Sequence, residues 1–296
     1  RSRGLGDVYK RQQLKQMLHI SNDNYFEWRF GNIYYTKKGT GSPILLIHDT
    51  LPGASGYEWS KIEDELAIDH TVYTVDLLGC GRSDKSSITY TNFVYVQMIS
   101  DFIKKIIGQK TDVIASGFSG SFVTMACHNE KELFNKIMLV NPPSLTQLKQ
   151  MPNRKDRLLK AALEIPIFGT LVYHMIVSRD NINNLFIEKM YFNPFHVDNQ
   201  MADAYYEAAH KGGYYTRFLY SSLAAKYINI NICHALKALD NSIYIVEGET
   251  EPNGKAVTDD YCASNPAIEV SVLKETKHLP HVEAPEAFLE QVKIFF

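Results

Sequence analysis

Short strand-like runs, most of them continuously apolar, recur along this chain at 44–47, 72–75, 113–115, 137–140, 243–246 and 268–272. Continuous apolar runs of this length predict strands covered on both faces, as in a parallel sheet. Two further β-like runs at 25–29 and 32–36, parted by Phe30 and Gly31, predict an antiparallel hairpin ahead of them. Helical spacing falls between the runs at 59–67, 95–107, 121–128 and 285–296, with an earlier helix start near 13–19. Strands alternating with helices predict an α/β sheet connected by right-handed crossovers. The alternation lapses from about 145 to 239, where apolar pairs such as Leu158-Leu159 and Ala161-Ala162 predict helices and no buried strand stands out. The expected organisation is therefore a core from 13–144 and 240–296 carrying a helical cap at 145–239. The cap is rich in aromatics, Phe168, Tyr173, Phe186, Tyr191, Tyr205 and Tyr220 among them. These predict packing onto the core and, as a set, an apolar pocket roof.

At 296 residues the chain can bury one large core with an insertion. Its formal charge of -2 gives no reason to expect a polyanion, so a nucleic-acid substrate is not anticipated. No run approaches the ~18 apolar residues of a spanning helix. Cys80, Cys127, Cys233 and Cys262 lack CxxC spacing and sit in apolar or helical contexts, which predicts reduced thiols, no zinc site and a cytoplasmic setting. The stretch from Ser2 to Gln12 matches a translated sequencing-library adapter, so residues 1–12 are expected to be a scar on a metagenomic fragment. Oligomeric state is not legible.

Between the run at 113–115 and the following helix lies Ser116-Gly117-Phe118-Ser119-Gly120-Ser121. A strand breaking into a helix across tiny residues is where a hydrolase holds a nucleophile, and Ser119 is the expected one. A strained turn centred on Ser119 needs small neighbours two residues away on either side, and Gly117 and Ser121 meet that demand. A linker or a phosphate cradle is the competing account of such a cluster. A serine hydroxyl needs a base and a group to orient that base. His278, on the loop after the last strand run, is the expected base, with His281 as competitor. Glu251, after the run at 243–246, is the expected acid, with Glu249 as alternative; serine, acid, histidine is the order such a sheet uses. Acyl transfer also needs two N–H groups on the oxyanion. Gly120 would supply one, and Thr50, in the loop after 44–47, the other, with Leu51 as fallback.

The chain resembles the α/β-hydrolase superfamily with a helical cap, serine-nucleophile type, over about 25–296. The resemblance runs through Ile47-His48 and its loop, the segment from Asp76 to Asp84, the turn at Ser119, the segment from Gly248 to Glu251, and the stretch from His278 to Pro285. It implies a mostly parallel eight-stranded sheet flanked by helices, and a structural role for the Asp76 to Asp84 turn. Three residues depart from the family pattern: Asp49 where glycine follows the histidine, Lys277 where glycine precedes the catalytic histidine, and Glu251 where aspartate is usual. Asp49 is expected to narrow or reshape the oxyanion loop. Relatives resembling epoxide hydrolases and haloalkane dehalogenases carry aspartate at the turn, and Ser119 speaks against both. The expected function is a serine hydrolase using a Ser-His-Glu triad on an ester, thioester, lactone or related acyl bond of a small to medium, partly apolar substrate, without metal or organic cofactor. The alternatives are a ligand-binding protein of the same fold that has lost turnover, or a lyase, amidase or cofactor-free peroxidase.

Overall fold

The computed structural model describes residues 17, 18 and 24–296. The adapter-like segment and most of the expected helix at 13–19 lie outside the described residues. The sheet has eight strands: β1 (Asn24–Trp28), β2 (Gly31–Lys38), β3 (Ser42–Ile47), β4 (His70–Val75), β5 (Thr111–Ser116), β6 (Phe134–Val140), β7 (Ile243–Gly248) and β8 (Glu269–Leu273). Their spatial order is β1-β2-β4-β3-β5-β6-β7-β8. The β1–β2 and β2–β4 pairs are antiparallel and the remaining pairs parallel, as the hairpin and apolar runs predict. The central strands β3, β5 and β6 are almost wholly buried because helices cover both faces of the sheet.

Strand order reverses its direction of growth between β3 and β5, so their following loops part to opposite sides and leave a crevice at the carboxyl ends. Register fixes what meets there. Ile47 pairs with Ala115, so residues two steps on, Asp49 and Gly117, leave their strands opposite one another.

Helix ends differ from expectation in detail. The predicted helix at 59–67 is a 3-10 turn at Gly56–Trp59 followed by a single turn at Glu63–Leu66. The helix after β5 starts at Ser119 rather than 121. Between β6 and β7 the chain adds helices and no strand to the sheet, including Arg154–Glu164, Pro166–Ile176, Asn199–His210 and Thr216–Ala224. Asn153 starts the first of these with a capping box closed by Asp156. Tyr173, Phe186, Tyr191 and Tyr205 pack with Ala54 and Leu279 from the core, whereas Phe195 and Phe168 face solvent. The aromatics thus split between an interior seam and an outer surface instead of forming one roof. No single helix among the described residues is long and apolar enough to cross a membrane.

Candidate active site

The turn after β5 has its apex at Gly117, two residues before Ser119. Gly117 holds φ +53°, in the left-handed region where a side chain is strained, while Phe118 is already right-handed and Ser119 opens the helix. The small residues flanking this apex at two positions are Ala115 and Ser119. Ser119 is fully buried; its Oγ donates to the His48 carbonyl at 2.5 Å and lies 3.1 Å from Thr50 Oγ1. No hydrogen bond between Ser119 and His278 occurs among the described residues. The expectation that Ser119 is the strained residue meeting the base is corrected on this point. The β5 strand runs through Ser116, which pairs with Val140, so the chain must turn at the next residue.

Gly120 is corrected for the same reason. Its N–H donates to the Gly117 carbonyl at 3.2 Å, inside the first helical turn. The N–H that points into the crevice is that of Phe118, the residue after the apex. It donates to Asp49 Oδ1 at 2.8 Å, and the Thr50 N–H donates to the same oxygen at 2.6 Å. Two backbone donors therefore converge on one carboxylate oxygen. Asp49 is 5% exposed. Its other oxygen, Oδ2, lies 3.3 Å from His278 Nε2.

His278 sits between two carboxylates. Its Nδ1 lies 3.1 Å from Glu251 Oε1 and its Nε2 faces Asp49. Burial alone would lower its pKa, but hydrogen bonds and charge attraction from Asp49 and Glu251 raise it to about 10. Asn141, itself at φ +44°, ties the loops together: its side-chain amide donates to the Lys277 and His278 carbonyls and its Oδ1 accepts from the Gly248 N–H. The His278 N–H donates to the Met190 carbonyl in the helical insertion. Glu249 Oε2 instead accepts from the Glu275 N–H, away from the imidazole. Lys277 directs Nζ to the Glu188 carbonyl rather than toward His278.

His281 occupies a different, fully buried position. Its Nε2 is 3.2 Å from Glu58 Oε1 and its ring stacks on Trp59 at 4.3 Å. Glu58 in turn approaches the Asp49 N–H and the Tyr205 hydroxyl, each at 3.4 Å. Beneath the loops, the Asp76 carboxylate accepts from the Gly56 N–H and from the Arg82 N–H and guanidinium. Burial would raise the Asp76 pKa, but Arg82 holds it at about 2. This is the structural turn that the sequence suggests.

A cavity of about 450 Å³ runs between the loop that carries Asp49 and the insertion, lined by Leu51, Pro52, Val177, Ile182, Leu185 and Tyr220. Another, of about 610 Å³, lies against Tyr191, His196, Lys274 and Glu283; neither cavity is lined by Asp49, Ser119, Glu251 or His278. No group of three or more histidine, cysteine, aspartate or glutamate side chains suited to a metal occurs among the described residues.

Residues 44–291 match the Alpha/beta hydrolase family. The chain belongs to that family. It is 29% identical over 113 residues to 2-hydroxy-6-oxo-6-(2'-aminophenyl)hexa-2,4-dienoic acid hydrolase of Metapseudomonas resinovorans, and the match covers 38% of this chain and 39% of that protein. It is 24% identical over 109 residues to a soluble epoxide hydrolase of Corynebacterium sp. strain C12, with 37% of each chain covered. The matched stretch thus spans about two fifths of either relative. Among solved structures, the epoxide hydrolase CorEH superposes with a TM-score of 0.76 at 15% identity, covering 93% of this chain and 98% of that one. The carbazole-degradation serine hydrolase CarC gives 0.74 at 17% identity, with 93% and 98% covered. At such identities these two likenesses show the fold.

Along the chain Gly117 stands out only as a small neighbour of Ser119 and Asp49 only as a departure in the oxyanion loop, and nothing singles out Phe118. A signal was present: the apex of a strand-to-helix turn favours glycine when its residue must hold positive φ, and Ala115 and Ser119 flank Gly117 as small residues. Asp49 in place of glycine was the complementary signal, two residues past the partner of Ala115.

Proposed function

We propose that this member of the alpha/beta hydrolase family is a hydrolase that adds water to a small to medium, partly apolar substrate, with His278 as base and Glu251 as the acid that orients it. The observation that carries this reading is the His278 imidazole, tied at Nδ1 to Glu251 while Nε2 faces a carboxylate held by two converging N–H groups. An oriented imidazole beside paired donors is what water addition to a carboxyl-level carbon requires. The partial matches to a dienoic acid hydrolase and an epoxide hydrolase support the same class. The groove beside Leu51 and Pro52, under the helical cap at 145–239, suits an apolar moiety. No step draws on a metal or organic cofactor.

The narrower reading, a Ser-His-Glu triad cleaving an ester, thioester or lactone, needs the Ser119 hydroxyl to leave the His48 carbonyl and reach His278. Incubation with a fluorophosphonate probe, and turnover of acyl esters of graded chain length alongside phenyl-substituted epoxides and primary alkyl bromides, tests both. Loss of turnover in His278→Gln and Glu251→Gln supports the hydrolase. A folded protein that hydrolyses none of these compounds, or a His278→Gln variant as active as wild type, overturns it. Covalent labelling of Ser119 would establish the serine triad.

A further inference from the structure

We propose that the nucleophile of this hydrolase is the Asp49 carboxylate, delivered from the loop after β3 into the space that a side chain at the apex of the β5 turn would fill, and that it attacks an sp3 carbon bearing a halide or a strained epoxide oxygen. The proposal rests on the hydrolase reading above and names its attacking group and substrate class.

Three observations converge. The apex residue, Gly117, has no side chain, and a Cβ built on it would stand 2.2 Å from Asp49 Cγ and 2.3 and 2.5 Å from its oxygens. The carboxylate and an apex side chain therefore exclude each other. The two oxygens of Asp49 are also differentiated: Oδ1 takes both backbone N–H groups, while Oδ2 faces His278. Finally, Ser119 is committed to the His48 carbonyl and lies behind the apex rather than on it.

The chemistry of a carboxylate selects the substrate. Attack on an ordinary acyl ester would yield an anhydride and an alkoxide, an uphill exchange. Attack on an sp3 carbon yields a stable alkyl ester. Asp49 Oδ2 forms the new C–O bond as the carbon–halogen bond breaks and the halide departs with its electron pair. With an epoxide the ring C–O bond breaks instead, and the oxygen takes a proton from solvent. Oδ1 is then the ester carbonyl oxygen, already on the N–H groups of Thr50 and Phe118. Alkylation also removes the Asp49 charge that helps hold the His278 proton, so the ring releases it to solvent and becomes a base. Water attacks Cγ and gives its proton to His278 Nε2, and the negative charge collects on Oδ1. Collapse breaks the Cγ–Oδ2 bond, and the departing alkoxide takes the proton from His278. The carboxylic acid left at Asp49 ionises to solvent. The product thus carries an oxygen of Asp49, and the oxygen of water stays in the protein.

That oxygen exchange is the test. Wild-type protein turning over phenyl-substituted epoxides or primary alkyl bromides in heavy-oxygen water is expected to gain the label in the peptide containing Asp49, and a single turnover is expected to release unlabelled product. The His278→Gln variant is expected to stop at a stoichiometric alkyl adduct on Asp49, seen by intact-protein and peptide mass spectrometry; Asp49→Asn is expected to form none. Turnover with label passing straight into product and none entering the peptide overturns the Asp49 assignment while leaving the hydrolase reading intact. So does hydrolysis of acyl esters alone with probe labelling at Ser119. If wild type hydrolyses nothing and His278→Gln gathers no adduct, both readings fall.

Discussion

The Asp49 carboxylate and the bare Cα of Gly117 occupy one site between them: a Cβ on Gly117 would stand 2.2 Å from Asp49 Cγ. The relationship follows from register, because Ile47 pairs with Ala115 and the two residues lie the same distance beyond that pair. Gly117→Ala is expected to cost about 1–3 kcal/mol from overpacking, with further strain from its positive φ. In the double variant Asp49→Gly with Gly117→Ser the packing clash is relieved. Urea denaturation of the two single variants and the pair is expected to show coupling of about 1 kcal/mol or more. The double variant is also expected to acquire fluorophosphonate labelling at position 117, read by peptide mass spectrometry.

Ser119→Ala separates a packing residue from a nucleophile. Removing the hydroxyl leaves the buried His48 carbonyl without that donor, so the expected loss is about 1 kcal/mol of stability. Turnover is expected to stay within roughly tenfold of wild type, which corresponds to about 1.4 kcal/mol on the barrier. A loss of several orders of magnitude in kcat, the size seen when a triad nucleophile is removed, would instead make Ser119 the attacking group.

Glu251 and Glu249 are two residues apart but in different surroundings. Glu251→Gln keeps the shape and removes the charge beside His278 Nδ1, and a fall in kcat of up to about 10⁴ is expected by analogy with acid-to-amide changes in catalytic triads. Glu249→Gln is expected to leave turnover near wild type, since that side chain bonds the Glu275 N–H. Steady-state kinetics of the two variants, side by side, would decide the acid.

The imidazole of His278 makes stability depend on pH in a defined direction. Its pKa in the folded protein is raised from 6.5 to about 10, so its contribution is complete below 6.5 and is lost as pH rises through about 10. Denaturation midpoints of wild type and His278→Gln are expected to differ most at the acidic end of that window and to converge at its alkaline end. A gap that widened with rising pH would contradict the two-carboxylate environment.

Arg82 tests the turn under the site. Asp76 is fully buried and held at a pKa of about 2, chiefly against burial and through Arg82. Arg82→Ala is expected to destabilise by about 3–5 kcal/mol, because a buried carboxylate loses its cation. The same depressed pKa means that the Asp76 contribution is present above 3.8 and fades as pH falls toward 2. Thermal melts across that range would show the acid-side loss in wild type.

Local pattern determined much of this protein. Continuous apolar runs marked the central strands of the parallel core, because strands covered on both faces have no polar side to show, whereas the edge strand β8 alternates and is largely exposed. The turn dipeptide at Phe30-Gly31 marked the hairpin, and the order of loops placed His278 and Glu251 at the carboxyl ends of neighbouring strands. Helix starts were less legible: the segment from Trp59 to Ala67 breaks into short turns because packing of Trp59 and Ile62 into the core, rather than propensity, sets its path. The tertiary structure alone decided which residue stands at the turn apex and what fills it. A serine among glycines reads as a nucleophile along the chain, but whether its hydroxyl reaches an imidazole depends on where β5 ends against β6. Asp49 and Phe118 stand 69 residues apart along the chain and are brought together by the β3–β5 pairing. A contact made by register between distant strands leaves only separate hints along the chain, here a glycine at 117 and an aspartate at 49, and the strand pairing alone joins them.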